Sequence, residues 1–330
     1  MKPEIIVTVG PASESTPVLR AMLDAGADTF RVNLAHADPS WLSDFFSRFK
    51  GLRRSATPVP VIADLPGRKL RTGDLLMELD LLPGERVRLG TQPGATMWDK
   101  VIPWEPPDPC PPLGPGRVLS LRDGRIILEV EEVPEPPRKG YVCRVIKGGR
   151  AVNRMGISFE GASAALFGLL PDRLRIAVGE GVTRLLLSFC EGPEDISGTV
   201  SACQRLGAST VEPIPKIETA EALRNLDLFL PSVRTVCVAR GDLGTHLPPH
   251  ELGKAETAVL EKARKAGRRV LVAGEVLMGC LHLGRPSRAE AVAVRYALEN
   301  GAAGFILSDE TAVGPDPAQA VKALCALVKA

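Results

Sequence analysis

Short apolar runs recur along the chain and are separated by segments whose apolar residues repeat every three or four positions. A short continuous apolar run is typical of a strand buried on both faces, and the repeating pattern is typical of an amphipathic helix. The apolar runs lie at residues 4–9, 28–33, 58–64, 184–189, 211–218, 235–242, 268–274 and 302–311. The amphipathic segments lie at about residues 16–25, 40–52, 171–179, from 193 onward, 219–226, 250–267, 287–301 and 317–330.

The number of these elements indicates one fold. Eight predicted strands alternate with eight predicted helices through short connections. Eight such units close a (β/α)8 barrel, the TIM barrel, in which parallel strands are covered by helices. A doubly wound open sheet is the alternative, but no GxGxxG motif follows the first strand. We therefore expect an α/β protein with a (β/α)8 TIM barrel.

The alternation is interrupted between residues 74 and 155. Short runs of alternating apolar and polar residues occur here, and proline and glycine separate them, most densely in residues 103–116. This pattern predicts a small β-barrel domain of antiparallel strands, inserted after the third strand. The expected domains are a catalytic barrel of residues 1–73 and 156–330, and a lid of residues 74–155. The proline-rich stretch is expected to be a rigid surface loop, or alternatively a ligand for a proline-recognition domain.

Composition argues against several classes of function for this chain. The net charge is only +2, and aromatic residues make up 4%, so we expect no nucleic-acid partner. No apolar stretch has the length of a membrane span, and the N-terminus does not have the layout of a signal peptide. The seven cysteines are scattered without a CxxC pair, which favours reduced core residues over a zinc site. We expect a cytoplasmic protein that binds small molecules and no membrane, with the oligomeric state left open.

Charged residues end two neighbouring apolar runs in residues 211–244. Lys216 and Glu218 end the first run, and Arg240 and Asp242 end the second, with Gly241 between them. If both runs are parallel strands joined by a helix, these charges emerge on the same side of the sheet. A lysine and two carboxylates at this edge can hold a divalent metal and an anionic substrate. Each charge taken alone could instead be an ordinary strand end that faces solvent.

Further polar residues follow the other predicted strands. Mixed cations and carboxylates at a barrel mouth suit Mg²⁺ or Mn²⁺ together with a small phosphorylated or keto acid, on which the metal acts as a Lewis acid. His36 could be a structural histidine or could act directly. The candidates beyond residues 211–244 are Arg31, Asn33, His36, Asp64, Lys69, Arg71, Ser188, Glu275, Ser308, Asp309 and Glu310.

The same segments resemble the motifs of pyruvate kinases. RVNLAHAD is similar to that family's R-L-N-F-S-H-G, and DLPGRKLRTG to its D-T-K-G-P-E-I-R-T-G. PKIETAEA resembles S-K-I-E-N, VARGDLG has the pattern of the family hallmark, and RPSRAEA and LSDETAVGPDPAQAV match two later motifs. The motifs occur in order over nearly the whole chain. The resemblance implies a glycolytic enzyme that transfers a phosphoryl group between phosphoenolpyruvate and ADP, giving pyruvate and ATP.

The resemblance also implies a role for each matching residue. Lys216 and Arg31 match catalytic residues around the transferred phosphoryl group, and Glu218 and Asp242 match the ligands of Mg²⁺ or Mn²⁺. The substrate carboxylate is expected at Gly241 and Asp242, with Arg240 beside them. The residues matching the nucleotide and monovalent-cation side are Asn33, His36, Asp64, Lys69 and Arg71.

Several positions depart from the family's motifs. The family's serine ligand for potassium is Ala35 here, and its glutamate after the proline is Lys69, whose ammonium could replace the ion. We therefore expect no K⁺ requirement. The family's threonine that helps to protonate the enolate is replaced by Gly274 in this sequence. The glycine would also leave room for a larger substrate. Departures on the ADP side and in the last motif are Leu65, Pro66 and Asp309.

These departures leave three hypotheses. The first is phosphoryl transfer between phosphoenolpyruvate and a nucleotide, which the retained Lys216 favours. The second is a metal-dependent enolate enzyme, an aldolase or decarboxylase of 2-keto acids, which Gly274 favours. The third is a non-catalytic metabolite-binding barrel, against which the intact charge cluster argues. No counterpart of the family's separate C-terminal regulatory domain is found in the sequence, so we expect no sugar-phosphate allostery.

Overall fold

A computed structural model of the protein describes residues 2–54, 57–67, 70–90, 100–104, 113–122, 124–133, 140–153, 155–159, 171–208 and 210–329. Contacts between Cα atoms divide the chain into two compact units. One unit is Met1–Arg68 together with Ala165–Ala330, and the other is Lys69–Ala164.

The first unit contains a closed barrel of eight parallel strands. Each strand pairs with the next one along the chain, and the eighth pairs with the first. The fold is therefore the (β/α)8 barrel that the alternating pattern predicts, accompanied by an additional β domain. The barrel strands are Glu4–Thr8, Thr29–Asn33, Val61–Leu65, Arg184–Leu187, Glu212–Ile217, Thr235–Ala239, Arg269–Ala273 and Gly304–Leu307.

Helices follow the barrel strands. One helix after each strand corresponds to an amphipathic segment predicted from the sequence. These helices are Thr16–Ala25, Pro39–Phe49, Pro171–Gly179, Pro193–Arg205, Ala220–Arg224, Pro249–Lys265, Arg288–Glu299 and Pro317–Lys329. Further short helices are Leu226–Phe229, Arg240–His246, Met278–Leu283 and Asp309–Ala312, with a 3₁₀ turn at Leu230–Ser232. Within the described part of the chain, every helix is too short or too polar to cross a membrane.

Two apolar layers hold the barrel together, one on each face of its strands. The larger layer lies between the strands and the helices and includes Leu19, Phe45, Phe229 and Phe305. The smaller layer fills the barrel interior with Ile6, Ile62, Leu186, Ile214, Cys237, Leu271, Ala273 and Ile306. Both faces of each strand are thus buried, which explains why the strands are nearly continuous apolar runs in the sequence.

Two predicted strands are shorter than expected because helices begin at their carboxyl ends. The sixth apolar run was expected to remain extended to residue 242, but the strand ends at Ala239 and Arg240–His246 is helical. The eighth strand ends at Leu307, and Asp309–Ala312 is helical. Arg240, Gly241 and Asp242 therefore lie in the first turn of a short helix rather than at the end of a strand.

The second unit is built around a seven-stranded sheet with its own apolar core, which includes the buried Trp104. The strands, in sheet order, are Leu70–Arg71, Gly156–Ser158, Val118–Leu121, Ile126–Glu132, Tyr141–Lys147, Arg86–Leu89 and Val101–Ile102. All neighbours are antiparallel except the last two, which are parallel, so the expectation of a purely antiparallel domain is wrong at that edge. Residues 105–112 of the proline-rich stretch lie outside the described residues.

Two short ribbons complete the strands. Leu79–Leu81 pairs with Gly149–Ala151 in the second unit, and Arg53–Arg54 pairs with Thr57–Pro58 in the first. Both ribbons are antiparallel. The domain boundaries and the lid role expected from the sequence stay predictions.

Candidate active site

A buried carboxylate, Asp64, lies at the carboxyl end of the third barrel strand and is only 1% exposed. Arg31 donates to Asp64 Oδ2 from Nε at 2.8 Å and from Nη2 at 2.6 Å, and its Nη1 donates to Thr8 Oγ1 at 2.8 Å. Lys216 Nζ lies 3.3 Å from the same Oδ2, and Ser188 Oγ donates to Oδ1 at 3.0 Å. Burial alone would raise the pKa of Asp64, but Lys216 and Arg31 together hold it below its ordinary value.

Lys216 joins this carboxylate to a second one, Glu218. Its Nζ lies 2.8 Å from Glu218 Oε1, and the backbone N–H of Phe189 donates to Oε2 at 2.6 Å. Burial would lower the pKa of Lys216, yet the charges of Asp64 and Glu218 raise it, so the ammonium keeps its proton. Burial raises the pKa of Glu218, Lys216 opposes this, and the negative charge of Asp242 adds to it.

Glu218 and Asp242 form the carboxylate pair that the sequence suggests for a divalent metal. Glu218 is 1% exposed, and Asp242 is half-buried and close enough for its charge to act on Glu218. Among the described residues, no three histidine, cysteine, aspartate or glutamate side chains are gathered to hold an ion by themselves. Two carboxylates still fit Mg²⁺ or Mn²⁺, which take oxygen ligands and complete their shells with water or substrate oxygens. A cation would also relieve the repulsion that raises the pKa of Glu218.

Arg240, expected to bind substrate, is engaged by the protein itself. Its Nε donates to the carbonyl oxygen of Gly274 at 3.0 Å, and its Nη2 donates to that of Glu275 at 3.0 Å. Its Nη1 lies 3.8 Å from Glu256 Oε2, and the side chain is 14% exposed. The guanidinium thus connects the ends of the sixth and seventh strands. The neighbouring Gly241 faces open space, because a Cβ built there would have no heavy atom within 4 Å.

Two of the predicted nucleotide-side residues lie at the end of the second barrel strand and in the turn that follows it. Asn33 Oδ1 accepts a hydrogen bond from the backbone N–H of Ala35 at 3.0 Å, which closes the turn locally. His36 is exposed. Arg173 Nη1 donates to the carbonyl oxygens of Leu34 at 2.7 Å and Ala35 at 3.3 Å, so the helix Pro171–Gly179 holds this turn from the side.

The two remaining predicted residues cannot be compared with the rest of the site. Lys69 lies outside the described residues. Arg71 belongs to the strand Leu70–Arg71 of the second unit, and its side chain is not described. The proposed replacement of potassium by Lys69 therefore stays a prediction.

Gly274 does not provide the room for a larger substrate that its small size suggests. Its backbone is left-handed, with φ 83°, and a Cβ there would lie 2.5 Å from the Gly241 nitrogen and 3.2 Å from the Arg240 nitrogen. The space that a side chain would take is filled by the backbone of residues 240–241, which follow the neighbouring sixth strand. This expectation from the sequence is therefore wrong, and the reason is close packing between two turns.

Several partners of the charged residues do not emerge from the sequence analysis. Thr8 supplies an acceptor for Arg31, and the Phe189 N–H supplies a donor for Glu218. Glu310, a predicted strand-end residue, accepts hydrogen bonds from the N–H groups of Leu277 and Ser308, so it braces two turns and is 1% exposed. Thr8 had a usable signal, since it is a polar residue near the end of an otherwise apolar run.

Comparisons with known proteins find one family along nearly the whole chain. Residues 1–321 match a family model described as pyruvate kinase, barrel domain. The chain is 32% identical over 326 residues to pyruvate kinase 2 of a Synechocystis species, covering 96% of this chain and 54% of that protein. It is 32% identical over 333 residues to the pyruvate kinase of Agrobacterium vitis and 30% identical over 334 residues to that of Thermotoga maritima. Each of these two alignments covers 99% of this chain, with 67% and 70% of the respective relatives. The chain thus spans about half the length of the Synechocystis relative.

Proposed function

Because the chain belongs to the pyruvate kinase family, we propose that it transfers a phosphoryl group from phosphoenolpyruvate to ADP and gives pyruvate and ATP. The observation that carries this proposal is the buried ammonium of Lys216 between two carboxylates at the barrel mouth, with Arg31 on the same Asp64. Phosphoryl transfer depends on positioning and electrostatic stabilisation rather than on covalent chemistry by the protein.

The two cations are suited to holding the phosphoryl group as it moves. Lys216 and Arg31 carry fixed positive charge where water is largely excluded, since their side chains are 11% and 12% exposed. In such surroundings a cation stabilises the charge on the transferring oxygens more strongly than it would in water. Asp64 contacts both cations, and its charge and that of Glu218 raise the pKa of Lys216 against the effect of burial, which favours the ammonium form.

Glu218 and Asp242 are the residues that would hold Mg²⁺ or Mn²⁺. When bound, the metal would supply a Lewis acid for the enolate oxygen of the substrate. The protein contributes the orientation of these carboxylates: the Phe189 N–H and Lys216 fix the two oxygens of Glu218. With Ala35 in place of a serine ligand and Lys69 in place of a glutamate in the sequence, we propose that the lysine ammonium replaces K⁺ and that no K⁺ is required.

The remaining roles follow the same proposal. The substrate carboxylate would lie at the backbone of Gly241 and Asp242, where the face of Gly241 is open. Arg240 would act beside them, through its hydrogen bonds to the carbonyl oxygens of Gly274 and Glu275. The nucleotide-side role proposed for Asn33, His36, Asp64, Lys69 and Arg71 rests on the family motifs that these residues match in the sequence.

A second candidate function rests on Gly274. Glycine offers no hydroxyl, and the close Gly241 nitrogen leaves no space for one at this position. The proton that converts the enolate of pyruvate to the ketone must then come from another group. A metal-dependent aldolase, whose enolate carbon bonds to a second carbonyl in place of the proton, is therefore the alternative. A metal-dependent decarboxylase belongs to the same alternative only if solvent or another group protonates the enolate that loss of CO₂ leaves.

A coupled assay tests the proposal. Phosphoenolpyruvate, ADP and Mg²⁺ or Mn²⁺ are supplied with and without K⁺, and pyruvate formation is followed. We expect turnover in both buffers and its loss in Lys216→Met, with Lys262→Met as the control because that lysine forms an exposed pair with Asp227. Absence of turnover from a folded protein that still binds metal and pyruvate would favour the enolate enzyme.

A further inference from the structure

Two consecutive residues after the seventh barrel strand adopt left-handed backbone. Gly274 has φ 83° and Glu275 has φ 51°, and Glu275 is exposed. Left-handed backbone is unfavourable for a residue with a Cβ and persists only where the surroundings impose it. Because the Glu275 side chain is exposed, the constraint has to come from contacts to its main chain.

The contacts of Arg240 supply this constraint. The guanidinium donates from Nε to the Gly274 carbonyl and from Nη2 to the Glu275 carbonyl, both at 3.0 Å. The two acceptors are the carbonyls of the two left-handed residues themselves. A planar guanidinium presents donors in fixed directions, and a lysine ammonium cannot reproduce that fork.

The turn formed by Gly274 and Glu275 lies directly against the Gly241 backbone, which is proposed to bind the substrate carboxylate. The ideal Cβ position of Gly274 is 2.5 Å from the Gly241 nitrogen and 3.3 Å from its Cα. This contact is possible only because residue 274 has no side chain. A displacement of the 274–275 turn would therefore release or push the Gly241 main chain.

A buried carboxylate holds the other side of the guanidinium. Glu256, on the helix Pro249–Lys265, is 7% exposed and its Oε2 lies 3.8 Å from Arg240 Nη1. Glu256 lies on a different helix from the residues proposed to touch substrate. It therefore offers a way to disturb Arg240 without altering the backbone of residues 240–242.

We propose that Arg240 is a positioning residue, which fixes the Gly274–Glu275 turn against Gly241 and so preorganises the main chain that binds the substrate carboxylate. This inference rests on the proposed function and deepens it, because it replaces a direct contact of Arg240 with substrate by an indirect action through the backbone. A misplaced binding group far from the reacting atoms can lower activity by about two orders of magnitude.

Four variants of the full chain test the proposal: Arg240→Lys, Arg240→Met, Glu256→Gln and, as a matched control, Arg295→Met, whose guanidinium forms an exposed pair with Glu299. Amide hydrogen exchange of residues 274–279 reports the turn. The KM values for phosphoenolpyruvate and ADP and the melting temperature are measured on the same samples. Calorimetric binding of phosphoenolpyruvate in Mg²⁺ gives an affinity without turnover.

We expect both Arg240 variants to show faster exchange in residues 274–279 and a KM for phosphoenolpyruvate raised about tenfold or more, with the KM for ADP unchanged. Glu256→Gln should change both quantities in the same direction by a smaller factor, and Arg295→Met should change neither. A merely structural arginine would lower the melting temperature without this selective change in KM.

Two outcomes would overturn the proposal. One is wild-type exchange and wild-type affinity in Arg240→Lys. The other is weaker phosphoenolpyruvate binding in Arg240→Met with wild-type exchange, which would assign a direct contact with substrate. If the wild-type protein neither binds nor converts phosphoenolpyruvate, the proposed function fails, whereas the exchange measurement still decides whether Arg240 fixes the turn.

Discussion

Replacing Lys216 with methionine removes the buried ammonium and keeps a side chain of similar length. Its Nζ lies 3.3 Å from Asp64 Oδ2 and 2.8 Å from Glu218 Oε1, and the residue is 9% exposed. At an effective dielectric constant of about 20, each contact has a gross attraction of about 5–6 kcal/mol, most of which is offset by desolvation. In the variant, Asp64 still forms its ion pair with Arg31. Glu218, however, is left near the negative charge of Asp242 without the compensating charge of Lys216.

We expect the free energy of unfolding to fall by about 3 kcal/mol, the lower end of the range for removing one partner of a buried ion pair. For a unit of this size, that loss corresponds to a decrease of roughly 6–12 °C in Tm. Denaturant unfolding and differential scanning calorimetry without metal measure both quantities. The double variant Lys216→Met/Glu218→Gln should recover part of the loss, because it removes the unpaired carboxylate as well.

Lys262→Met is the matched control. Lys262 Nζ lies 2.7 Å from Asp227 Oδ2, nearly the same distance as the 2.8 Å between Lys216 Nζ and Glu218 Oε1. The side chains of Lys262 and Asp227, however, are 41% and 65% exposed. Removing an exposed pair costs less than about 1 kcal/mol. Equal losses in the two single variants, or a Lys216→Met protein more stable than the wild type, would refute the argument that burial gives this lysine its stabilising role.

Three further predictions follow from other parts of the structure. Asp242→Asn should abolish metal-dependent turnover with little change in the apo Tm, and retained activity would remove Asp242 from the metal site. Burial by itself raises the pKa of Glu4, but Arg184 and its other partners hold the pKa below 4.5. The stability that Glu4 provides is thus present above about pH 4.5 and is lost as the pH falls through the lower folded value. The Tm of Glu4→Gln should consequently depend less on pH in that acidic range, and an unchanged profile would contradict the shift. Gly274→Ala should destabilise by about 1–3 kcal/mol in denaturant unfolding, because of its φ of 83° and the close backbone, whereas Gly253→Ala, in an exposed helical position with open space, should stabilise slightly.

Burial on both faces makes the barrel strands visible in the sequence. Thr235–Ala239 is buried at all five positions, so the whole strand is a run without polar gaps. Capping chemistry predicts some helix starts as well, although Ser15 precedes Thr16–Ala25 without a side-chain cap hydrogen bond. Ser287 N–H donates to Glu290 Oε2 at 2.6 Å and Glu290 N–H donates to Ser287 Oγ at 3.2 Å, as their spacing indicates, and Thr219 caps the next helix through the Ala222 N–H.

Neither apolar periodicity nor capping residues predict the short helices that follow the sixth and eighth barrel strands. Arg240–His246 has the sequence RGDLGTH, with two glycines and one buried apolar residue, Leu243, so neither propensity nor periodicity indicates a helix. Tertiary contacts hold its first turn, among them the bonds from Arg240 to the Gly274 and Glu275 carbonyls. These contacts join segments far apart in sequence, which a local pattern cannot show.

The central charged residues of the candidate site and the neutral Ser188 beside Asp64 were predictable, but the main-chain partner of Glu218 was not. Lys216, Glu218 and Asp64 end apolar runs, and the barrel topology brings such ends together. The N–H of Phe189 that binds Glu218 belongs to the main chain, and a left-handed phenylalanine, with φ 54°, has no signature in the sequence. Chemistry carried by side chains is visible in a sequence, whereas chemistry carried by backbone geometry requires the fold.

The proposed phosphoryl transfer can be followed directly by measuring the phosphate signals of substrate and product. Phosphorus-31 NMR follows phosphoenolpyruvate, ADP and Mg²⁺ in K⁺-free buffer with the wild-type protein, and with Lys216→Met as the inactive reference. We predict that the phosphoenolpyruvate signal decreases as the γ-phosphate signal of ATP increases in equal amount. Persistence of the phosphoenolpyruvate signal, or its replacement by inorganic phosphate without ATP, would contradict the account.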